Sequence, residues 1–172
     1  MNVNIHGRDQ DDEDIAFLKD SVLVNSNKKQ RVLMKWINKP NLKSDLLFRG
    51  SRDGFNALTF FNTCANAGPT LTLIRSKEKK CVFGGFASRS WQIPRNQLWL
   101  TKRDDEAFVF SLTKMTKHPL FNHERNALCM YKNGDTMFGP CFGGCGTGHY
   151  DIIIFDRCNE RIDNYSTLGH CY

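Results

Sequence analysis

Apolar residues recur at helical spacing only in the first third of the chain. Between Lys28 and Asn38, Val32, Leu33, Trp36 and Ile37 fall on one face, which predicts a helix. Pro40 ends it, because proline disfavours the α region for the residue before it. Ser21-Val-Leu-Val24 and Leu46-Leu-Phe-Arg-Gly50 are short apolar runs and read as short strands. A second helix follows. Asp53 is placed as its N-cap, a carboxylate able to accept the free N–H groups of the first turn. Phe55, Leu58, Phe61 and Cys64 form its stripe, and Gly68-Pro69 stops it.

Beyond Pro69 the period changes to two. Thr70-Leu-Thr-Leu-Ile74 alternates, Ser76 to Lys80 is a polar turn, and Cys81 to Ser88 resumes as a strand, so the three together predict a hairpin. Ala107 to Thr113 is a third strand. Ala127 to Tyr131 and Thr136 to Phe138 flank Asn133-Gly134, the signature of a type I′ hairpin turn. His149 to Asp156, with Ile-Ile-Ile-Phe at its centre, reads as a central strand. Helices come early, strands come late, and no βα alternation appears. The fold class is therefore α+β with a sandwich-like core rather than a doubly wound sheet.

Composition adds limits. In 172 residues, 40% hydrophobic with 13 Phe, there is enough apolar material for one core without metal or disulfide staples. Residues 1–14 read as a disordered acidic tail, five carboxylates lying between Asp9 and Asp14. Residues 15–172 form the domain, and their balance of 23 basic against 13 acidic residues invites an acidic partner. The N-terminus resembles neither a signal peptide nor a mitochondrial leader, and no apolar run would span a membrane. Seven cysteines, an odd number, fit reduced thiols in a reducing compartment. The expectation is a cytoplasmic protein without membrane insertion.

Motifs for chemistry are weak. The cluster Phe142-Gly-Gly-Cys-Gly-Thr-Gly-His149 lacks both the following helix and the Gly-Lys-Ser/Thr ending that a phosphate loop needs, and reads as a tight connection between strands. Cys141, Cys145 and His149, with Cys158, His170 and Cys171, supply only one close pair where structural zinc sites use two. His118 and His123 do not share a helix face. No Gly-x-Ser-x-Gly elbow, no cysteine with a nearby base and no pair of acid–base carboxylates stands out. Basic residues are not interleaved with exposed aromatics as nucleic-acid binding requires. The expectations are no enzyme, no cofactor, no metal and no nucleic-acid partner.

One ordered set of motifs carries a resemblance. Leu47-Phe-Arg-Gly-Ser-Arg-Asp-Gly-Phe55 is followed by Gly68-Pro-Thr-Leu-Thr-Leu-Ile74 and by Cys81-Val-Phe-Gly-Gly-Phe-Ala-Ser88 with Trp91. Ala107 to Leu112, Phe138 to Gly144, Tyr150 to Ile154 and Ser166-Thr-Leu-Gly-His-Cys-Tyr172 continue the order. From Ser21 to its end the chain resembles the TLDc domain. The resemblance implies a β-sandwich of two antiparallel sheets flanked by a few helices. It also implies a link to protection from oxidative damage, and several members bind and regulate the vacuolar proton-pumping ATPase. No active site is established for the family.

The functional expectation is a non-catalytic TLDc module that binds the vacuolar ATPase or another large assembly in oxidative stress. Its alternatives are an accessory subunit docked in another complex, such as a cytoskeletal one, and a redox enzyme using a cysteine. Arg52, Asp53, Leu168 and Tyr172 are the candidates for partner contact or a structural role. The family pattern runs on past the Leu-Gly-x-x-Tyr segment, whereas this sequence stops at Tyr172. That predicts an unpaired edge at 164–172 for a partner or a second copy to cover.

Overall fold

The computed structural model describes residues 17–39, 42–121, 126–144 and 149–172. They belong to two compact units, Met1–Leu46 and Leu47–Tyr172. The acidic segment, Pro40 and His123 lie outside the described residues.

In the first unit, α1 (Asn27–Ile37) follows the expected period, with Leu33 and Ile37 buried and Val32 and Trp36 half-buried. Asn38 closes it in the left-handed region at φ 53°, its N–H bonded to the Met34 carbonyl, an end that asparagine tolerates well. Ser21 to Val24 is a turn rather than the expected strand. The Ser21 hydroxyl accepts the N–H groups of Leu23 and Val24 at 3.2 and 3.1 Å, a local bond that competes with strand pairing.

In the second unit, α2 (Gly50–Asp53) and α3 (Ala57–Cys64) precede nine strands. β1 (Thr70–Arg75), β2 (Val82–Ala87), β4 (Phe108–Ser111) and β5 (Thr116–Pro119) form a four-stranded sheet in that order. β3 (Trp99–Lys102), β6 (Leu128–Asn133), β7 (Thr136–Phe142), β8 (Ile152–Phe155) and β9 (Tyr165–Ser166) form a five-stranded one. Every pairing is antiparallel. The architecture is an α+β sandwich, as the residues predicted.

Several boundaries differ from expectation. Residues 46–49 form no strand. The β6–β7 loop is Gly134-Asp135, with Asn133 still in its strand opposite Thr136. β8 is an inner strand of four residues, shorter than β7. β3, β5 and β9 carry too few residues to show a period, and each is fixed by the strand it pairs with.

The core lies between the sheets. Gly85 of β2 is flat against the Phe142 ring of β7; a Cβ there would sit 2.5 Å from that ring, so glycine sets the spacing of the sheets at this point. Trp91, fully buried, stands edge-on to Phe142 at 5.4 Å and to Phe60 of α3 at 6.1 Å. Its indole N–H donates to the Thr70 hydroxyl at 2.9 Å, which ties the loop after β2 to the start of β1.

Candidate functional site

The string 47–58 folds as a short, braced corner. In α2 the Asp53 carboxylate accepts the Arg49 N–H at 2.7 Å and both Nε and Nη2 of Arg52 at 2.6 and 2.8 Å. Arg52 Nη2 also donates to the Leu47 carbonyl at 3.2 Å. Gly50 has no Cβ because one would meet the Phe55 ring at 2.6 Å. Asp53 is therefore not the N-cap of the next helix. Asn56 is, accepting the Thr59 N–H at 3.1 Å. A second carboxylate reaches in from far along the chain: Asp156 accepts the Ala57 N–H at 2.7 Å, while the Arg157 N–H donates to the Phe55 carbonyl at 2.9 Å.

This bracing decides which side chains face out. The buried face of α3 is Ala57, Phe60, Phe61 and Cys64, whereas Phe55 and Leu58 are 40% and 44% exposed. Leu47 is exposed as well. Phe61 and Cys64 of the expected stripe are buried, but its first half, Phe55 and Leu58, is not, because the helix starts at Ala57 and turns Ala57 and Phe60 inward.

The forked bond from Arg52 is the main cause holding the Asp53 carboxyl down to about 2. A lowered folded value gives stability that is complete above the unfolded value of about 4 and lost as pH falls through about 2. Asp53→Asn is therefore expected to flatten the acid limb of the melting temperature between about pH 4 and pH 2 while changing it little in slope near neutrality. Parallel acid limbs for the two proteins would contradict this pairing.

At the other end of the chain, Leu168 and Tyr172 separate. Leu168 is exposed, but Cys171 and Tyr172 are buried in the core, and the Tyr172 hydroxyl donates to the Ala127 carbonyl at 2.9 Å. The fully buried Asp151 carboxylate accepts the N–H groups of Gly169, His170 and Cys171 at 3.1, 3.0 and 2.9 Å. The Phe121 N–H bonds the Cys171 carbonyl. Residues 169–172 are an internal clip, not the open edge expected. The first part of the expected segment is an edge: β9 closes one side of the five-stranded sheet, and its two residues are both exposed. Asp151 and Asp156 were missed in the sequence; the one available sign was a carboxylate on either flank of the buried Ile-Ile-Ile-Phe run.

The remaining candidates have structural partners. The glycine cluster joins β7 to β8, with Gly143 N–H bonded to the Ala127 carbonyl; residues 145–148 lie outside the described residues. His118 Nε2 is 3.0 Å from the Thr116 hydroxyl. Among the described residues no three His, Cys, Asp or Glu side chains gather as metal ligands. Cys64, Cys129, Cys141 and Cys171 are buried; burial pushes the Cys64 thiol up to about 11 and raises Cys141 above the usual thiol range. Cys64 and Cys141 are thiols, not thiolates, at neutral pH, and all four buried sulfurs are shielded from solvent. An aromatic disulfide reagent at about pH 8 is expected to titrate Cys81 in the folded protein and these four only after denaturation. Rapid native reaction at Cys64 or Cys141 would overturn their assignment as core residues.

Comparison with curated proteins finds no match. The family model of the TLDc domain matches residues 17–172, nearly the whole chain. The sandwich, the braced corner at 47–58 and the C-terminal clip fall inside that match, and the chain belongs to the TLDc domain family.

Proposed function

We propose that this TLDc domain is a non-catalytic interaction module that binds a large assembly, the vacuolar proton-pumping ATPase before others, in protection against oxidative stress. The corner at 47–58 carries the reading. Leu47, Phe55 and Leu58 stand exposed around the Arg52–Asp53 pair, on backbone held at both ends by Asp53 and Asp156. Rigid apolar side chains beside a fixed charge pair suit docking, since little order is lost on association.

The non-catalytic part rests on how the buried reactive groups are used. Asp151 and Asp104 each accept backbone N–H groups, and Cys64 and Cys141 are held as thiols. No helix among the described residues is long and apolar enough to cross a membrane.

The test is affinity capture of the tagged full chain from its native cell, beside the Phe55→Ser/Leu58→Ser variant. Pump subunits recovered with the wild type and depleted at least tenfold with the folded variant support the reading. Recovery of cytoskeletal or other assembly proteins in their place assigns the corner to a different complex and overturns it.

A further inference from the structure

Two turns meet at one end of the four-stranded sheet. The β1–β2 connection carries Lys77, Glu78, Lys79 and Lys80, one residue beyond Arg75 at the end of β1, and the β4–β5 connection carries Lys114 and Met115; all seven are exposed. The turns are stitched side by side. The N–H groups of Leu112 and Thr113 both donate to the Val82 carbonyl at 2.9 and 3.1 Å, and the Val82 N–H donates to the Thr113 hydroxyl at 2.8 Å. The Ser76 hydroxyl accepts the Cys81 N–H at 3.0 Å across the base of the first turn. Five cations thus share one tip with a single acid, a net +4, and among the described residues none of the five is in an ion pair.

We infer that this tip docks peripherally on an anionic lipid bilayer. The charge is complementary to a negatively charged leaflet, which attracts basic segments within a Debye length of its surface. Four of the five cations are lysines, compact charges on flexible stems that suit a diffuse anionic surface better than a shaped pocket for one carboxylate or phosphate. No exposed aromatic stands in either turn to stack on bases, as single-stranded nucleic acid would require. Met115, held out at φ 55°, adds an apolar side chain that can enter the interface among the lysines.

The experiment is co-sedimentation of the full chain with phosphatidylcholine vesicles, with and without about 30% phosphatidylserine, in about 0.1 M salt. Binding is expected only to the anionic vesicles, weakening as salt rises. Lys79→Gln and Lys114→Gln should each lower the partition coefficient about fivefold. Together with Lys77→Gln and Lys80→Gln they should abolish it, with an unchanged melting temperature. Met115→Asn keeps a residue that tolerates the left-handed region; it should weaken vesicle binding and leave retention on heparin unchanged. Equal binding to both vesicle types, or full binding by the quadruple variant, overturns the proposal. So does a Met115→Asn protein that binds vesicles as tightly as wild type while heparin or a poly-glutamate peptide competes it off, because the tip would then be a site for soluble polyanions.

Discussion

Replacing Asp151 by alanine is expected to destabilise the domain by about 3–5 kcal/mol, since it removes a buried charged acceptor from three backbone N–H groups at once. Bonds to a charged group contribute about 1.5–3 kcal/mol each, and the donors left behind relax only partly. Deleting Leu168–Tyr172 should be worse. It removes Cys171 and Tyr172 from the core, the Tyr172 bond to Ala127 and the Phe121 bond to Cys171. A domain has about 5–15 kcal/mol to lose, so the shortened chain should be largely unfolded at 37 °C. Denaturant melts followed by circular dichroism read both. A folded, cooperative deletion protein that had lost only its partner binding would restore the open-edge reading of this segment.

Trp91→Ala is expected to cost about 3–5 kcal/mol, the usual range for emptying a buried aromatic site. The indole fills the space between α3 and the two sheets, edge-on to Phe60, Phe61 and Phe142. Those neighbours sit on α3 and on β7, two regular elements already packed against each other, so the cavity has little freedom to collapse. Trp91→Phe should recover most of the packing but lose the hydrogen bond to Thr70, leaving a deficit of about 1 kcal/mol plus the smaller ring volume. A loss below about 1 kcal/mol for the alanine variant would mean that the sheets close over the gap and that Trp91 is not the centre of the core.

The strands were legible where period two ran long enough, as in Thr70–Arg75 and the hairpin around Gly134. β3 and β5 were not: Trp99–Lys102 and Thr116–Pro119 carry no apolar run like those of the equally short β4 and β8, and their pairing with β6 and β4 supplies what their own sequence lacks. Pro119 closes β5 at the sheet edge, where a missing N–H costs no ladder bond. The corner at 47–58 was found as a string but misread in its parts. Asp53 and Asn56 both suit an N-cap, and the choice between them is made by Arg49, Arg52 and the distant Asp156, which no local rule weighs. In the C-terminal segment the edge at Tyr165–Ser166 was legible and the clip was not. The polar, glycine-containing sequence of 169–172 resembles more of the edge until the Asp151 carboxylate behind it is seen.

The central claim is that the exposed corner binds the pump and that the chemistry of the buried groups stays structural. It is tested most directly by the affinity of the purified full chain for purified vacuolar ATPase, measured beside Phe55→Ser/Leu58→Ser at matched thermal stability. The account predicts saturable binding by the wild type and a loss of at least tenfold in the variant, about 1.4 kcal/mol or more. Equal affinities for the two proteins, or no binding by either, would contradict it.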